Sequence, residues 1–431
     1  MSSGVEANPA SVGLALLAST SVPSSVVAYL ACLEADCPVV LVEATPEAIQ
    51  SLTSSYRPGA ILVPTESSLA PSGSRLIELD GSYSIALTGA RDDVAIHPSL
   101  SLLLTTSGST GSPKLVRLTR GNVTANARAI ASYLGIEPSE RSIQTLPTHY
   151  SYGLSLVNSH LISGATVVLT AHSFLRPEFW GAFNDSGATS FAGVPYIYET
   201  LHRLRFDPKR YPSLRTMTQA GGALRPDFTQ SFYDRLHAAG RRFFVMYGQT
   251  EATARISYVP FDRLGEKIGS IGIAIPGGTL SLAGVEDLDA QELVYNGPNV
   301  MMGYAESAAD LATGDVLEGT LRTGDLATRD DDGFYFLTGR LKRFEKLFGR
   351  RVSLEDLERD LESKYSMPTA VIGNDGGLIV FVESSGGVNG DEIVHDLAQR
   401  LKVPPKTITV RETAALPRTA AGKKNYNALR P

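Results

Sequence analysis

From Val12 onward, short apolar runs alternate with stretches of helical spacing. Pro38–Val42 and Ala60–Pro64 read as buried strands, and Val22–Ala35 places Val27, Tyr29, Leu30 and Leu33 on one helical face. A β-prone run, Ser101–Thr106, enters a Ser/Gly/Thr/Pro loop, and a second, Leu115–Thr119, leaves it. Gly121–Leu134 reads as a helix stopped by Gly135, and Ile143–Pro147 as a strand ending in the turn Thr148–Gly153. A helix to Ile162 and a strand Thr166–Thr170 follow. The alternation continues through Thr189–Ala192, Tyr196–Leu204, Leu214–Ala220, Pro226–Ala239 and Phe243–Tyr247. Alternation of this kind predicts an α/β fold with mainly parallel sheets covered by helices.

The pattern changes near Ile268. Short β-like runs at Leu280–Leu282, Glu292–Tyr295 and Phe334–Leu337 are separated by Gly and Pro, which predicts a small β-subdomain over about 268–338. After Gly339 the chain reads as a small α+β domain. Helices are expected at Leu354–Ser363 and Asp391–Leu401, and strands at Thr369–Ile372, Leu378–Val382 and Thr407–Val410. The expected division is an N-terminal domain over 1–339 and a mobile lid domain over 340–431.

Composition narrows the function classes. The 431 residues exceed one ordinary core, and 43 % hydrophobic with 19 % charged residues is globular. A formal net charge of −6 with scattered Lys and Arg gives no nucleic-acid footprint. No apolar run approaches the roughly 18 residues of a membrane span, and the N-terminus lacks the positive start of a signal peptide. The two cysteines, Cys32 and Cys37, suit packing in a reducing compartment. A cytoplasmic protein without membrane or nucleic-acid partners is the expectation.

The chemistry centres on Thr105-Thr106-Ser107-Gly108-Ser109-Thr110-Gly111-Ser112-Pro113-Lys114. Gly108 and Gly111 allow backbone N–H groups to turn toward an anion, the hydroxyls add donors, and Lys114 adds charge. The loop lacks the Gly directly before Lys that a Walker A motif requires, because Pro113 stands there. The same composition suits a flexible linker. The apolar runs on both sides and the Pro before Lys114 weigh toward a phosphate cradle. Two further Gly turns, Gly221-Gly222-Ala223 and Gly248-Gln249-Thr250-Glu251, follow predicted strands, and ligands of open α/β sheets bind at the carboxyl ends of strands.

In order along the chain, that loop is followed by Tyr247-Gly248-Gln249-Thr250-Glu251, by Glu292-Leu293-Val294 to Gly303-Tyr304, and by Arg322-Thr323-Gly324-Asp325. Gly339-Arg340 to Gly349-Arg350-Arg351-Val352 and Pro417-Arg418-Thr419 to Gly422-Lys423 complete the set. Over roughly residues 12–430 the chain resembles the adenylate-forming superfamily of acyl-CoA synthetases, aryl-CoA ligases, luciferases and nonribosomal adenylation domains. The resemblance implies activation of a carboxylic acid by ATP and Mg2+ as an acyl-adenylate, with release of pyrophosphate, then transfer to a thiol, foremost CoA.

The site residues it implies are Thr105–Gly111 and Lys114 on the triphosphate, and Gly221, Gly222, Ala223 and Tyr247 about the adenine, followed by Gly248 and Gln249. Thr250 faces the α-phosphate, Glu251 holds the metal, and Asp325 and Arg340 meet the ribose. Lys423 reaches the carboxylate and α-phosphate, Lys342 is the hinge of a lid rotation, and Gly349 lies on the thiol side. The acid pocket is expected among His149, Tyr150, Tyr152, Gly153, Gly193 and Val194. Amino-acid-activating relatives place an Asp in the first of these segments. Its absence here argues against an α-amino acid, and the rings suggest an aromatic or short hydroxylated acid.

Taken singly, Glu251 reads equally as a helix-start carboxylate, Asp325 as a turn cap and Lys423 as one of two solvated lysines beside Lys424. Ala421 and Tyr426 stand where the family commonly has Ser and Arg. The chain begins late relative to the family pattern, which leaves a homodimer open, and it ends with no carrier segment following. A stand-alone enzyme loading a separate acyl carrier protein or an amine is the alternative, and a non-catalytic ATP-binding homologue the third.

Overall fold

The computed structural model describes residues 13–430 except 66, 80, 90–93, 106–113, 287, 342, 348–349, 375–376, 385–386 and 420–421. The chain forms two compact units, one of residues up to 280 with 295–321, the other of 281–294 with 322–431.

The first unit carries two large sheets. The first contains β1 (Ala15–Ser19), β2 (Val39–Glu43), β3 (Ala60–Pro64), β4 (Arg75–Glu78), β5 (Tyr83–Leu87), β6 (Leu100–Thr105) and β7 (Leu115–Thr119). β1, β2, β3 and β6 run parallel, and β4, β5 and β7 complete the sheet antiparallel. β1 and β2 are apolar runs buried on both faces, as a helix-covered parallel sheet requires. Cys32 and Cys37 are buried and unbridged in the core beside Tyr29 and Val39.

The second sheet contains β8 (Arg141–Ile143), β9 (Thr166–Val168), β10 (Ser190–Gly193), β11 (Thr216–Gln219), β12 (Arg242–Tyr247), β13 (Ser257–Tyr258) and β14 (Ile273–Ala274). Its first five strands are parallel, in the order β9-β8-β10-β11-β12. The helices Arg120–Leu134 and Ser151–Ile162 pack on each other, Tyr133 of the first stacks on Tyr258 of β13, and Leu154 of the second joins the core of the first sheet. The first is bounded by a reciprocal Thr119–Asn122 capping box and by Gly135 at φ 62°.

In the second unit, β15 (Thr279–Val285), β16 (Leu288–Asn296), β18 (Thr320–Arg329) and β19 (Tyr335–Arg340) form a four-stranded sheet. β17 (Gly303–Ala305) instead joins the first large sheet, antiparallel to β7. The hairpin β20 (Phe344–Leu347) and β21 (Arg350–Ser353) leads into the helix Leu354–Tyr365. β22 (Thr369–Asn374), β23 (Gly377–Glu383) and β24 (Ile408–Thr413), with the helix Gly390–Leu401, close a core on Leu357, Leu361, Val380 and Leu397.

The expected fold class is present. The expected β-subdomain is not one piece: β14 extends the second sheet, β17 the first, and the rest clusters with the C-terminal residues. The expected division after Gly339 falls inside β19, whose ladder to β18 holds it in the second unit. Sequence reading also omitted the helix Pro46–Tyr56, the edge strand β4 and its neighbour β5. The strand expected over Ile143–Pro147 is instead Arg141–Ile143, and the carbonyls of Leu146 and Pro147 pack against Gly153 of the next helix.

Candidate active site

The hairpin β6–β7 brings Thr105 opposite Leu115, so the Ser/Gly loop leaves and re-enters one sheet edge. Thr106, Ser107, Gly108, Ser109, Thr110 and Gly111 lie outside the described residues. Lys114 is described. Its Nζ lies 3.7 Å from the Tyr304 ring centroid and 3.1 Å from Glu306 Oε1. Both partners come from β17 and the residue after it, which pairing with β7 sets beside the lysine.

The same tyrosine reaches the second Gly turn. Tyr304 Oη donates to Glu251 Oε1 at 2.7 Å. Glu251 lies in a short 3-10 turn, Thr250–Ala252, at the carboxyl end of β12, and its carbonyl accepts from Met301 N at 2.9 Å. Thr250 Oγ1 is 3.2 Å from Ser151 Oγ. Thr253 follows at φ +65°, a conformation costly for a β-branched residue. It is held by its own hydroxyl on Asn299 O (2.7 Å), and the buried Asn299 amide bonds the carbonyls of Ala252 (2.8 Å) and Arg255 (2.9 Å). Asn299 and Tyr304 thus fix the turn that carries Thr250 and Glu251. Sequence reading quoted Tyr304 within a motif without giving it a role, because its partner is 53 residues away.

Gly221 has φ +85°, and a Cβ there would stand 2.6 Å from Tyr150 Oη and 3.0 Å from Val194 Cγ1. Gly222 approaches Pro195, and its carbonyl accepts from Gln219 Nε2 at 2.8 Å. Gly221, Tyr150 and Val194 therefore meet in one place. Gly248 has no room for a side chain, since a Cβ would fall 1.8 Å from Ala254 O. Tyr247 is 8 % exposed, and its hydroxyl accepts from Gln249 Nε2 at 3.1 Å. Ala223 is exposed.

Other expected pocket residues serve the scaffold. Tyr152 is buried, with its hydroxyl 2.9 Å from Thr218 Oγ1 and the Arg255 guanidinium 3.9 Å over its ring. Gly153 permits the close Pro147 approach, and a Cβ at Gly193 would press on Tyr198 at 2.8 Å. His149 has a buried Nδ1 without a hydrogen-bond partner, and burial lowers its pKa.

In the second unit, Asp325 is almost fully buried, and its Oδ1 lies 2.7 Å from Arg340 Nε across the β18–β19 register. The two expected ribose residues are therefore joined to each other. Glu292 binds Arg322 and accepts from Gly324 N at 3.0 Å, so one motif glutamate shapes the Arg322–Asp325 turn. Lys423 sits in a tight turn in which Thr419 N donates to Lys423 O at 2.8 Å. Lys424 is committed elsewhere, 2.8 Å from Glu362 Oε1 and 3.2 Å from Glu358 Oε2. These glutamates hold Lys424. Lys342 and Gly349 lie outside the described residues.

A model of the AMP-binding enzyme family matches residues 12–305. The chain belongs to the AMP-binding enzyme family. Feruloyl-CoA synthase of an Amycolatopsis species is 33 % identical over 345 residues, 75 % of this chain and 67 % of that protein. The 2-succinylbenzoate–CoA ligase of Bacillus cereus is 29 % identical over 81 % of this chain and 74 % of its own length. Among solved structures, o-succinylbenzoate CoA synthetase of Bacillus subtilis with its acyl-adenylate superposes with a TM-score of 0.76 at 23 % identity. It covers 97 % of this chain and 88 % of that one. ATP-bound MatB of Rhodopseudomonas palustris gives 0.75 at the same identity and coverage. These likenesses are of fold. Family membership and the curated relatives bear out the expected AMP-forming acid–thiol ligase.

The AMP-binding reading meets a suitable donor set. Glu251 offers a carboxylate beside the Thr250 hydroxyl, hard oxygen ligands of the kind Mg2+ shares with phosphates. The glycines at 221, 222 and 248 bring the backbone close against Tyr150, Pro195 and Ala254. Among the described residues, no helix is long and apolar enough to cross a membrane.

Proposed function

We propose that this protein joins a small carboxylic acid to the thiol of CoA, through an acyl-adenylate formed from ATP. The observation that carries the reading is the Thr250–Glu251 turn, pinned by Asn299 and Tyr304 and standing beside Lys114, in a chain of the AMP-binding family.

In the first step the carboxylate oxygen attacks the α-phosphorus and pyrophosphate leaves. Lys114 and the loop before it hold the leaving phosphates, and Thr250 donates to the α-phosphate. Mg2+ neutralises phosphate charge when held by Glu251. Lys423 offsets the charge that builds on the carboxylate and α-phosphate as the bond forms. Asp325 and Arg340 bind the ribose hydroxyls. In the second step a thiolate attacks the acyl carbon and AMP leaves, with Lys423 withdrawn by rotation about Lys342.

Tyr150, Val194 and Gly221 line the acid site with no carboxylate among them. An ammonium buried there would be unpaired, so the substrate is an aromatic or short hydroxylated acid without an α-amino group.

ATP–pyrophosphate exchange across a panel of carboxylic acids tests the reading. Exchange with an aromatic or hydroxylated acid, then CoA-dependent thioester formation, is expected. No exchange with any acid, from folded protein that binds ATP, refutes an enzymatic role. Exchange followed by transfer only to a loaded carrier or an amine refutes CoA as acceptor.

A further inference from the structure

Glu358 lies in the helix Leu354–Tyr365, its side chain buried, and both its oxygens are engaged from two directions. Oε1 pairs with Arg343 and accepts from Val371 N at 2.8 Å. Oε2 lies 3.2 Å from Lys424 Nζ and accepts from Tyr426 Oη at 2.9 Å. The Arg343 guanidinium stacks 3.9 Å from the Tyr426 ring centroid. Lys424 also pairs with Glu362 at 2.8 Å and donates to Thr369 O. Arg343 and Lys424 thus meet the carboxylates of Glu358 and Glu362, and Glu355 Oε1 lies 4.0 Å from Arg343 Nε.

What this cluster joins is informative. Arg343 follows the hinge position Lys342 by one residue, and Lys424 follows Lys423 by one residue. The loop between is closed by Asn425 N to Pro417 O at 2.8 Å and by an antiparallel bridge of Arg418 with Lys424. Lys423 precedes Lys424 in this loop, and its carbonyl accepts from Thr419 N at 2.8 Å. Leu416 and Leu429, on either side of the loop, are buried with Ala370 and Ile372.

We propose that Glu358, with Lys424 and Tyr426, is a positioning device that locks the Lys423 loop rigidly to the segment after the hinge. A rotation at the hinge then carries Lys423 without slack. Proximity effects make this matter, because a displacement near 1 Å in a reacting group can cost on the order of a hundredfold in rate. Ala421 and Tyr426 depart from the family pattern at this loop, and Tyr426 is explained by its bonds to Glu358 and Arg343. The proposal rests on the two-step reading above, so its test carries one arm independent of activity.

The test compares Lys424→Met and Tyr426→Phe with wild type. Lys424→Met leaves Arg343 paired with Glu358, and Glu362 is partly hydrated, so the fold is kept. Hydrogen exchange of backbone amides is read by mass spectrometry on full-length protein, alongside both half-reactions. Expected for Lys424→Met is faster exchange over 417–425 with unchanged exchange in β22 and β23. Its adenylation kcat falls about tenfold with KM for ATP held within about twofold. Thioester formation from supplied acyl-adenylate changes less than about twofold, since Lys423 is withdrawn in that step. Tyr426→Phe shows the same pattern, weaker.

Unchanged exchange over 417–425 overturns the lock. Faster exchange with unaltered adenylation overturns its positioning role. Equal loss of both half-reactions with a lowered Tm reduces the cluster to stability alone. If wild type shows no exchange of pyrophosphate with any acid, the proposed activity fails, while the amide-exchange arm still decides the lock.

Discussion

Removing one oxygen atom from Tyr304 isolates its link between Lys114 and Glu251, the proposed metal carboxylate. Tyr304→Phe keeps the ring under Lys114 and keeps the β17–β7 ladder, which uses only backbone. It deletes the 2.7 Å bond to Glu251 Oε1. A hydrogen bond to a charged acceptor contributes about 1.5–3 kcal/mol, and water reaching this half-buried site replaces part of it. About 1–2 kcal/mol remains, roughly a five- to thirtyfold effect. That energy now fixes which way the carboxylate faces. In its absence Glu251 samples other rotamers, and the oriented form needed for Mg2+ becomes a minor population.

The expected outcome is therefore a rightward shift of the Mg2+ dependence of ATP–pyrophosphate exchange, with kcat partly restored at saturating metal. KM for the acid stays constant. Calorimetric titration of ATP with and without Mg2+ reads the same shift without turnover. Tm changes little, since the ring packing is retained. An unaltered metal dependence with normal exchange would refute the orienting role. A parallel fall in acid and ATP affinity with a lowered Tm would show Tyr304 to be scaffold.

Lys423→Ala is expected to abolish pyrophosphate exchange while sparing thioester formation from supplied acyl-adenylate, and equal loss of both would sink the two-state lid. Gly248→Ala is expected to cost about 3 kcal/mol or more, seen as loss of soluble protein or a large fall in Tm, because a Cβ would sit 1.8 Å from Ala254 O. Burial lowers the pKa of His149 and of His160, whose Nδ1 lies 2.8 Å from Leu156 O. Both are neutral in the fold and protonate first in the unfolded chain, so their contribution is present above the ordinary value of 6.5 and lost as pH falls below it. His160→Gln should flatten the fall of Tm as pH drops below about 6.5, and an unchanged slope counts against His160 as a source.

The parts legible in sequence are those whose cause is local. Strands such as Val39–Glu43 announce themselves by an unbroken apolar run, and Gly135 stops its helix for a reason internal to glycine. Ordered motifs made the family visible before any contact was known. The helix Pro46–Tyr56 was missed although Ile49, Leu52 and Tyr56 carry its buried face, because Ser and Thr between them dilute the period. Of the expected β-subdomain, β15, β16, β18 and β19 share one sheet, while β14 and β17 pair elsewhere. A three-residue strand such as Gly303–Ala305 takes its partner from sheet edges elsewhere, and nothing in those residues names β7.

Lys423 and Lys424 show the limit most clearly. As neighbours of identical type they are indistinguishable by any propensity or charge rule. The difference comes from Glu358 and Glu362, more than sixty positions earlier and brought close only by folding. Once folding brings those two carboxylates to Lys424, that lysine anchors the loop. The motif says that a lysine belongs at this turn. The buried carboxylates say which of the two is the anchor.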